Sequence, residues 1–472
     1  MIGREQQSTQ LREALSLSTS TFIAVTGRRR VGKTYLVDQV YGKYICLRVT
    51  GIQGGNLKTQ LGNFAQKIAI HANWPLVTIP QNWQQVFILL RQYLATLPTH
   101  KKQVIFLDEL PWMDTPKSGF VQLLAHFWND YLSKESQFVL VVCGSSTSWI
   151  TRKIVNDKGG FHNRLTHRIN LKPFTLSETN QFLRSKSIKL SDASLAELYM
   201  AMGGIPFYLN HIRKGESPTV CIERMCFSDD GILRHEYDNL YKALFDSPTN
   251  HEAIVDALAG AKAGLARSEL AKKSKVSEGG PFQRALDDLL ISGFVAEEIP
   301  FGKKKRGSIY RLIDEYSVFY HRFIKGNRKL QAGIWQTLSA SQSYKIWTGY
   351  AFETLCIKHV DAIKRALGIQ NVYTETCAFR YENPEGSGGF QIDLMIDRKD
   401  QAINLCECKF YESSFEISRS YASILQERKA AFRVATNTKK NCFTTLITNH
   451  PLKKNEYSLE AIDVAITISE LL

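Results

Sequence analysis

The chain has 472 residues, of which 44% are hydrophobic and 11% aromatic, and its formal net charge is +15 at pH 7. This composition excludes a disordered or fibrous protein, and the length predicts several domains because a single core rarely grows past roughly 300 residues. The longest apolar runs are far shorter than the ~20 residues that a membrane-spanning helix requires. Nine cysteines without framework spacing and an N-terminus without an apolar signal region predict a cytoplasmic protein, and the positive charge favours a polyanionic partner.

Residues 1–175 alternate short apolar runs with helical patterns. The runs that predict strands are TFIAVTG, YICLRVT, QVIFLDEL, QFVLVVCG and RINLKPF. Residues 83–97, which precede the third of these runs, have helical spacing. This alternation predicts an α/β domain in which helices cover a parallel sheet. Residues 176–245 contain no strand pattern, and we expect them to form a helical lid on the first domain.

A phosphate-binding motif follows the first predicted strand. It consists of Gly27, Arg28, Arg29, Arg30, Val31, Gly32, Lys33 and Thr34. The spacing G-x-x-x-x-G-K-[ST] lies between a strand and a helix, as this motif requires. Its glycines allow backbone N–H groups to converge on phosphates, while Lys33 would meet the β- and γ-phosphates and Thr34 would ligate Mg²⁺. The motif therefore predicts the ATP-binding loop of a P-loop NTPase.

Polar side chains end two further predicted strands. After the apolar residues VIFL we expect Asp108 to hold Mg²⁺ through water and Glu109 to polarise the attacking water. Ser145 and Ser146 would lie beside Glu109 and sense the γ-phosphate if these strands are neighbours. Arg164, before the last strand, is a candidate to neutralise transition-state charge in a neighbouring subunit of a homo-oligomer, and an ordinary surface arginine is an equally good interpretation.

Residues 246–325 carry three short helical patterns and then two apolar runs around a basic turn. Three helices and a hairpin are the parts of a winged helix, which binds DNA or serves as a protein-docking module. The turn contains Lys303, Lys304, Lys305 and Arg306. At the tip of a wing these cations would contact the backbone of double-stranded DNA. The candidate recognition helix also carries Asp287 and Asp288, which would sit poorly against phosphates, so this pattern does not by itself predict sequence-specific contacts.

Residues 326–472 contain a second group of charged residues within apolar strand patterns. Asp393 lies on one strand pattern, and Glu407 and Lys409 lie two residues apart, hence on one face, of the next. Two carboxylates that bind a divalent metal beside a lysine predict phosphodiester hydrolysis. Glu353, on a preceding helix pattern, would add a third carboxylate. The alternative is a salt bridge within a non-catalytic domain.

These motifs resemble those of two known groups. Residues 1–325 resemble the AAA+ and STAND-like ATPases first described mainly from archaea, above all in the phosphate-binding loop and the Asp-Glu pair. The resemblance implies that Gly3 and Arg4 belong to an entry motif near the adenine, and that Pro206, in the sequence GGIP, belongs to the lid motif at the nucleotide. The C-terminal pattern is similar to that of the PD-(D/E)XK nuclease superfamily, which implies an α/β restriction-endonuclease-like domain.

The sequence thus predicts a cytoplasmic ATPase that uses ATP and Mg²⁺, binds double-stranded DNA and carries a nuclease-like domain. Two alternatives are left open. One is a STAND-like switch that uses ATP to oligomerise or dock a partner, with a non-catalytic C-terminal domain. The other is a transcriptional regulator that acts through the winged helix.

Overall fold

The structure is a computed structural model that describes residues 1–75, 78–245, 247–261, 263–327, 333–382 and 389–472, without the side chains of Arg306 and Glu382. The chain forms two compact units. The first contains Met1–Pro173 and Ala243–Phe245, and the second contains Phe174–Lys242 and Asp246–Leu472. Within these ranges no helix is both long and apolar enough to cross a bilayer.

The first unit is built on a parallel sheet of five strands in the order β2-β3-β4-β1-β5. The strands are β1 Thr21–Gly27, β2 Ile45–Thr50, β3 Gln103–Asp108, β4 Phe138–Cys143 and β5 His167–Leu171. All five were predicted. Strands β1 and β4 are buried along their whole length, as apolar strands of a sheet covered on both faces should be. Since β4 lies between β1 and β3, the carboxyl ends of these three strands meet at one edge.

Helices cover this sheet and build the core with it. They are Glu5–Ser16, Lys33–Tyr41, Leu57–Ala72, Trp83–Leu94, Phe120–Asp130 and Thr147–Ile150, with short 3-10 or π turns at Leu110–Met113, Leu132–Lys134 and Thr151–Val155. The rings of Trp83 and Phe120 are fully buried and lie 4.5 Å apart. Burial of each such side chain contributes roughly 2–3 kcal/mol before the entropy of ordering it is subtracted.

The segment predicted as a lid is helical and contains no strand. Its helices are Leu176–Ser185, Asp192–Met202, Pro206–Leu209, Pro218–Ile222 and Glu236–Leu240, with a π turn at Glu223–Phe227. The backbone N–H of Phe174 donates to the carbonyl of Gly204 at 2.7 Å. A Cβ on Gly204 would lie 1.9 Å from the Phe174 oxygen, so this close approach requires glycine.

The next segment contains three helices and a small antiparallel sheet. The helices are Thr249–Ala259, Arg267–Ser274 and Gly280–Ile291, and the strands, in sheet order, are β6 Leu265–Ala266, β8 Ile309–Leu312 and β7 Val295–Glu298. Every helix and strand predicted here lies at its expected position, and β6 is additional. Asp288 is buried and lies 3.1 Å from the ring of His251, so this contact joins two of the three helices.

The C-terminal segment is a five-stranded mixed sheet with helices. The strands are β9 Thr374–Glu382, β10 Gly389–Arg398, β11 Ala402–Lys409, β12 Asn441–Thr448 and β13 Val464–Thr467, in the order β13-β12-β11-β10-β9. The helices are Ile334–Ser339, Gln342–Lys358, Val360–Ala366, Arg419–Thr436 and Glu456–Ala461, with a 3-10 turn at Ile468–Leu471. The helix Glu315–Phe319 and the 3-10 or π turns Lys305–Gly307 and Tyr320–Ile324 belong to the preceding segment. Strands β9, β10 and β11 pair antiparallel, whereas β11, β12 and β13 pair parallel.

Candidate functional site

The phosphate-binding loop, residues 27–34, joins β1 to the helix Lys33–Tyr41. Gly32 is the N-cap of that helix and has a left-handed φ of 91°. Gly27 has a φ of 143°, and a Cβ there would lie 2.4 Å from the Leu171 oxygen. Both positions therefore require glycine. The N-terminus of the helix points its free N–H groups at the loop, which favours an anion.

The ammonium group of Lys33 lies within the curve of this loop. Its Nζ donates to the carbonyls of Gly27 at 2.8 Å and Arg28 at 2.9 Å, and lies 3.5 Å from the hydroxyl of Ser145. The side chain is buried. Because all three partners are neutral, they position the ammonium without cancelling its charge, which is then available to a phosphate.

Thr34 and Asp108 meet at the edge where the loop and β3 converge. The hydroxyl of Thr34 donates to Oδ2 of Asp108 at 2.9 Å, and Asp108 is buried. Hydroxyl and carboxylate oxygens are ligands that Mg²⁺ prefers. The two predicted metal-binding residues are thus side by side, and their donor atoms fit this ion.

Glu109 is held by Ser145. Strands β3 and β4 are neighbours, and the Glu109 carboxylate accepts the backbone N–H of Ser145 at 2.9 Å and its hydroxyl at 2.5 Å. Glu109 itself has a left-handed φ of 47°, which is uncommon for a residue other than glycine and often marks a functional site. Ser146, which follows, is half-buried and caps the helix Thr147–Ile150.

Other predicted nucleotide-binding residues lie around the loop. Arg4 is buried, and its guanidinium donates to the carbonyls of Val31 at 3.2 Å and Lys172 at 2.9 Å. Arg4, in the predicted entry motif, therefore holds the phosphate-binding loop in place through hydrogen bonds. Next to Arg4, Gly3 has a φ of 61°. Arg28 is buried, whereas Arg29 and Arg30 are half-buried.

Two further residues predicted for this site are Arg164 and Pro206. Arg164 is exposed and precedes β5, whose first residue pairs with Ile23. The loop follows the other end of β1, so Arg164 is at the opposite edge of the sheet from the phosphate-binding loop of its own chain. Pro206 opens the helix Pro206–Leu209 in the second unit, and its contact with nucleotide stays a prediction.

A second group of ionisable residues lies on β10 and β11. Asp393 and Glu407 are both buried. Oδ2 of Asp393 accepts the backbone N–H of Cys408 at 3.0 Å, next to a bulge between Ile392 and Met395. Nζ of Lys409 lies 2.7 Å from Oε1 of Glu407. The structure thus brings together the predicted Asp393, Glu407 and Lys409 at the junction of two adjacent strands.

Two residues of this group were not predicted from the sequence. The Tyr421 hydroxyl donates to Glu407 at 2.9 Å, and Arg428 donates to both oxygens of that carboxylate at 3.3 and 3.2 Å. Both lie on the helix Arg419–Thr436. Their spacing of seven residues, which places them on one helix face, is the signal that would have identified them.

Glu353 completes the group from the helix Gln342–Lys358. Its Oε2 atom is buried without a hydrogen-bond partner. Burial and the charge of Asp393 raise the pKa of Glu353 to about 8, although Arg311 and Lys409 oppose this shift. Burial and the charge of Glu407 likewise raise the pKa of Asp393 to about 6. Carboxylates crowded in this way favour a bound proton or cation.

The donor set allows a partial metal site. Asp393 and Glu407 offer carboxylate oxygens, which divalent cations such as Mg²⁺ prefer. Among the residues described, however, no group of three or more His, Cys, Asp and Glu side chains is arranged as a metal cage. The carboxylate of Glu407 also already interacts with Lys409, Tyr421 and Arg428. A cation would therefore need water or a substrate oxygen as further ligands.

The basic turn between β7 and β8 is anchored to the C-terminal sheet. Phe301 donates its N–H to the carbonyl of Ala378 at 3.2 Å, and its ring packs on Phe379 and Phe432. The cations that follow, Lys303, Lys304 and Lys305, are exposed. The side chain of Arg306 lies outside the described residues. The predicted DNA-binding turn is thus a charged projection on the same unit as Asp393 and Glu407.

The chain is similar to one protein-family model and to several known proteins. Residues 1–212 match a family model described as an ATPase domain predominantly from Archaea. An uncharacterized protein of Methanocaldococcus jannaschii is 25% identical over 356 residues, which are 75% of each chain. A solved Walker-type ATPase of Pyrococcus abyssi is 16% identical with a TM-score of 0.48, and covers 68% of this chain and 96% of its own. The ORC2 protein of Aeropyrum pernix is 14% identical with a TM-score of 0.41, and covers 72% and 96%.

The match to the family model spans the five-stranded sheet, the phosphate-binding loop and β3. Residues 1–212 are thus similar to an ATPase domain of archaeal type.

Proposed function

We propose that this chain binds ATP and hydrolyses it at the edge formed by residues 27–34, Asp108 and Glu109. The observation that carries the proposal is the double hydrogen bond from Ser145 to Glu109, beside the contact between Thr34 and Asp108. These contacts place a carboxylate, a hydroxyl and an ammonium around one loop that is shaped for phosphate.

Each residue would act on the triphosphate through a simple interaction. The backbone N–H groups of the loop bind the phosphate oxygens, and the Lys33 ammonium offsets negative charge as the γ-phosphate leaves. The Glu109 carboxylate accepts a hydrogen bond from the attacking water and orients it. Thr34 and Asp108 would hold Mg²⁺, which neutralises charge on the phosphate oxygens when bound.

Ser145 positions Glu109 for this task. A carboxylate that accepts two hydrogen bonds from one residue has little rotational freedom, so its orientation is set before ATP arrives. The Ser145 hydroxyl also lies 3.5 Å from the Lys33 ammonium. It therefore links the base to the loop, which supports the prediction that Ser145 senses the γ-phosphate.

The test compares Lys33→Ala with Lys43→Ala, a control that removes an exposed lysine from the same domain. We expect Lys33→Ala to lose ATP binding by calorimetry and ATP hydrolysis by phosphate release, while Lys43→Ala keeps both. Wild-type protein without affinity for adenine nucleotides, or Lys33→Ala with unchanged turnover, would overturn the proposal.

We also propose that the second unit contacts DNA and carries a metal-dependent phosphodiesterase site. The supporting observation is the convergence of Glu353, Asp393, Glu407 and Lys409 on the unit that also carries the exposed basic turn at Lys303 to Lys305. Asp393 and Glu407 would hold a divalent cation, which activates water and stabilises charge on the phosphate. The Lys409 ammonium would add a hydrogen bond to the scissile phosphate.

The alternative is a non-catalytic binding module in an ATP-driven switch. It is favoured because three side chains already donate to the carboxylate of Glu407, which a metal ion would need. Plasmid and linear DNA incubated with protein and Mg²⁺ or Mn²⁺ distinguish the two functions. Cleavage that is lost in Asp393→Asn and Lys409→Ala but kept in the exposed control Asp400→Asn supports a nuclease. Absence of cleavage with either metal supports the switch.

A further inference from the structure

A cavity of about 650 Å³ lies in the second unit beside the strand end that carries Lys409. Its lining includes Tyr344, Thr348, Tyr411, Phe415, Asn449 and His450. The volume is within the range of pockets that hold small organic ligands. The cavity contains aromatic rings and polar atoms together, which suits a flat ligand with hydrogen-bonding edges.

Two of the lining rings form a stacked platform. The rings of Tyr411 and Phe415 are 4.2 Å apart and inclined by only 8°. Phe415 packs against an apolar cluster that includes Ile417 and Leu446, so it supports Tyr411 from the core side. Tyr411 is half-buried and remains available at the cavity.

The backbone of Tyr411 is fixed by one buried side chain. Its N–H donates to Oδ1 of Asn449 at 2.8 Å, and its carbonyl accepts from Nδ2 of the same residue at 2.7 Å. Asn449 follows β12 and is buried. A platform held in this way loses little conformational entropy when a ligand stacks on it.

The platform adjoins the carboxylate group of the proposed phosphodiesterase site. Tyr411 is two residues beyond Lys409. The ring of Tyr421 meets Phe415 edge-on at 5.8 Å, and the hydroxyl of Tyr421 donates to Glu407 at 2.9 Å. A nucleotide whose phosphate lies at Lys409 would thus have its base within reach of Tyr411.

The charges at the cavity do not exclude a nucleotide. Glu197 accepts the Tyr344 hydroxyl at 2.8 Å, and burial raises the pKa of this carboxyl. Lys345 is exposed and carries a positive charge, while Glu412 is exposed to water.

We propose that this cavity receives the base of an unpaired nucleotide, which stacks on Tyr411 while its phosphate lies toward Lys409. The inference rests on the proposed function of the carboxylate group and adds a substrate class to it, namely DNA with an unpaired strand. A paired base is excluded because its faces and its Watson–Crick edge are already engaged in the duplex. Stacking on an aromatic ring accepts any base, so no sequence preference follows.

The test measures binding of three fluorescent probes to the full chain without divalent metal, so that cleavage plays no part. The probes are a single strand of about 12 deoxythymidines, the same strand with abasic residues, and a blunt duplex of equal length. We expect the intact single strand to bind about tenfold more tightly than the abasic strand. Tyr411→Ala should abolish that difference. Tyr411→Phe should keep it, as should Tyr373→Ala, which removes an exposed tyrosine elsewhere in the unit.

The outcomes separate this inference from the proposed function. If the wild type binds the intact and the abasic strand equally, the cavity assignment is wrong, and this result requires no variant. Such a result does not contradict contact with the DNA backbone. Failure to bind any of the three probes overturns both the cavity assignment and the DNA contact, while the ATPase proposal is tested separately by Lys33→Ala.

Discussion

The phosphate-binding site of the first unit and the carboxylate group of the second unit differ in how their charges are satisfied. In the first, Lys33 rests on neutral carbonyls and Glu109 accepts two hydrogen bonds from Ser145. In the second, Glu353 has a buried oxygen without a partner, and burial raises the pKa of both Glu353 and Asp393.

This difference shows two ways of arranging charged side chains in a fold. The first site has its groups oriented before a ligand arrives, so substitution should affect binding or turnover more than folding. The second site carries electrostatic repulsion that a cation would relieve. Its substitutions should therefore alter how stability responds to metal and to pH.

The largest effect is expected from Glu109→Gln in the first site. The amide keeps the shape of the side chain but cannot act as a base, so turnover should fall by about 10²–10⁴-fold while ATP affinity is retained. Phosphate release and calorimetry measure the two quantities. Glu13→Gln, which alters an exposed glutamate of the same unit, should leave both unchanged. Wild-type turnover in Glu109→Gln would show that another group orients the water.

The second effect concerns metal and the stability of the second site. Mn²⁺ at about 100 times its dissociation constant should raise the free energy of unfolding by about 2.7 kcal/mol. Asp393→Asn removes one metal ligand and one repelling charge, so Mn²⁺ should no longer raise the free energy of unfolding of this variant. In Asp400→Asn the increase should equal that of the wild type. Denaturant unfolding with and without the ion measures the difference. An equal gain in both variants would place the ion elsewhere.

The third effect is a loss of stability at low pH. Burial lowers the pKa of His359 to about 4, and its Nε2 accepts the N–H of Leu176 at 2.8 Å. The unfolded chain takes up a proton at a higher pH than the fold does, so stability is lost as the pH falls from 6.5 toward 4. Between pH 7 and pH 5 this histidine should cost about 2 kcal/mol.

Urea unfolding of His359→Gln should show a smaller loss over that range, and His235→Gln, at an exposed histidine, should match the wild type. The comparison between variants isolates His359 from carboxyls such as Glu353, whose raised pKa acts in the opposite direction. The same pH response in all three proteins would contradict the assignment.

The smallest effect is expected from Arg428→Ala. Arg428 donates to both oxygens of Glu407, so it competes with a cation for the same atoms. Its removal should tighten Mn²⁺ binding by about fivefold, which corresponds to ~1 kcal/mol. Arg433→Ala, on the same helix and exposed, is the matched control. Weaker binding after Arg428→Ala would mean that this arginine supports the metal site.

Local patterns were sufficient to predict the first site. The loop glycines, Lys33 and Thr34 are consecutive in sequence, and Asp108 and Glu109 end an apolar strand, so short-range spacing fixes their chemistry. The contact between Ser145 and Glu109 depended on strand order, which the sequence left conditional. In the structure, β3 and β4 are neighbours, so the condition is met.

Long-range contacts limited the prediction of the second unit. The helix that carries Glu353 ends at Lys358, and a second helix begins at Val360. Between them lies His359, whose ring bonds to Leu355 and Leu176. Strand β13 has only four residues and was not predicted, nor was β9. Tyr421 and Arg428 reach Glu407 from the helix Arg419–Thr436, to which the sequence analysis assigned no role. Such contacts follow from tertiary packing rather than from local pattern.

The division of the chain into units has a practical consequence for dissection of the protein. The backbone passes from one unit to the other after Pro173, after Lys242 and after Phe245. A cut after Lys242 or after Phe245 leaves residues 1–173 covalently joined to part of the second unit, whereas a cut after Pro173 releases residues 1–173 and leaves the strip Ala243–Phe245 on the other fragment. A clone that stops at Pro173 therefore lacks those three residues of the first unit, and a clone that starts at Phe174 carries them.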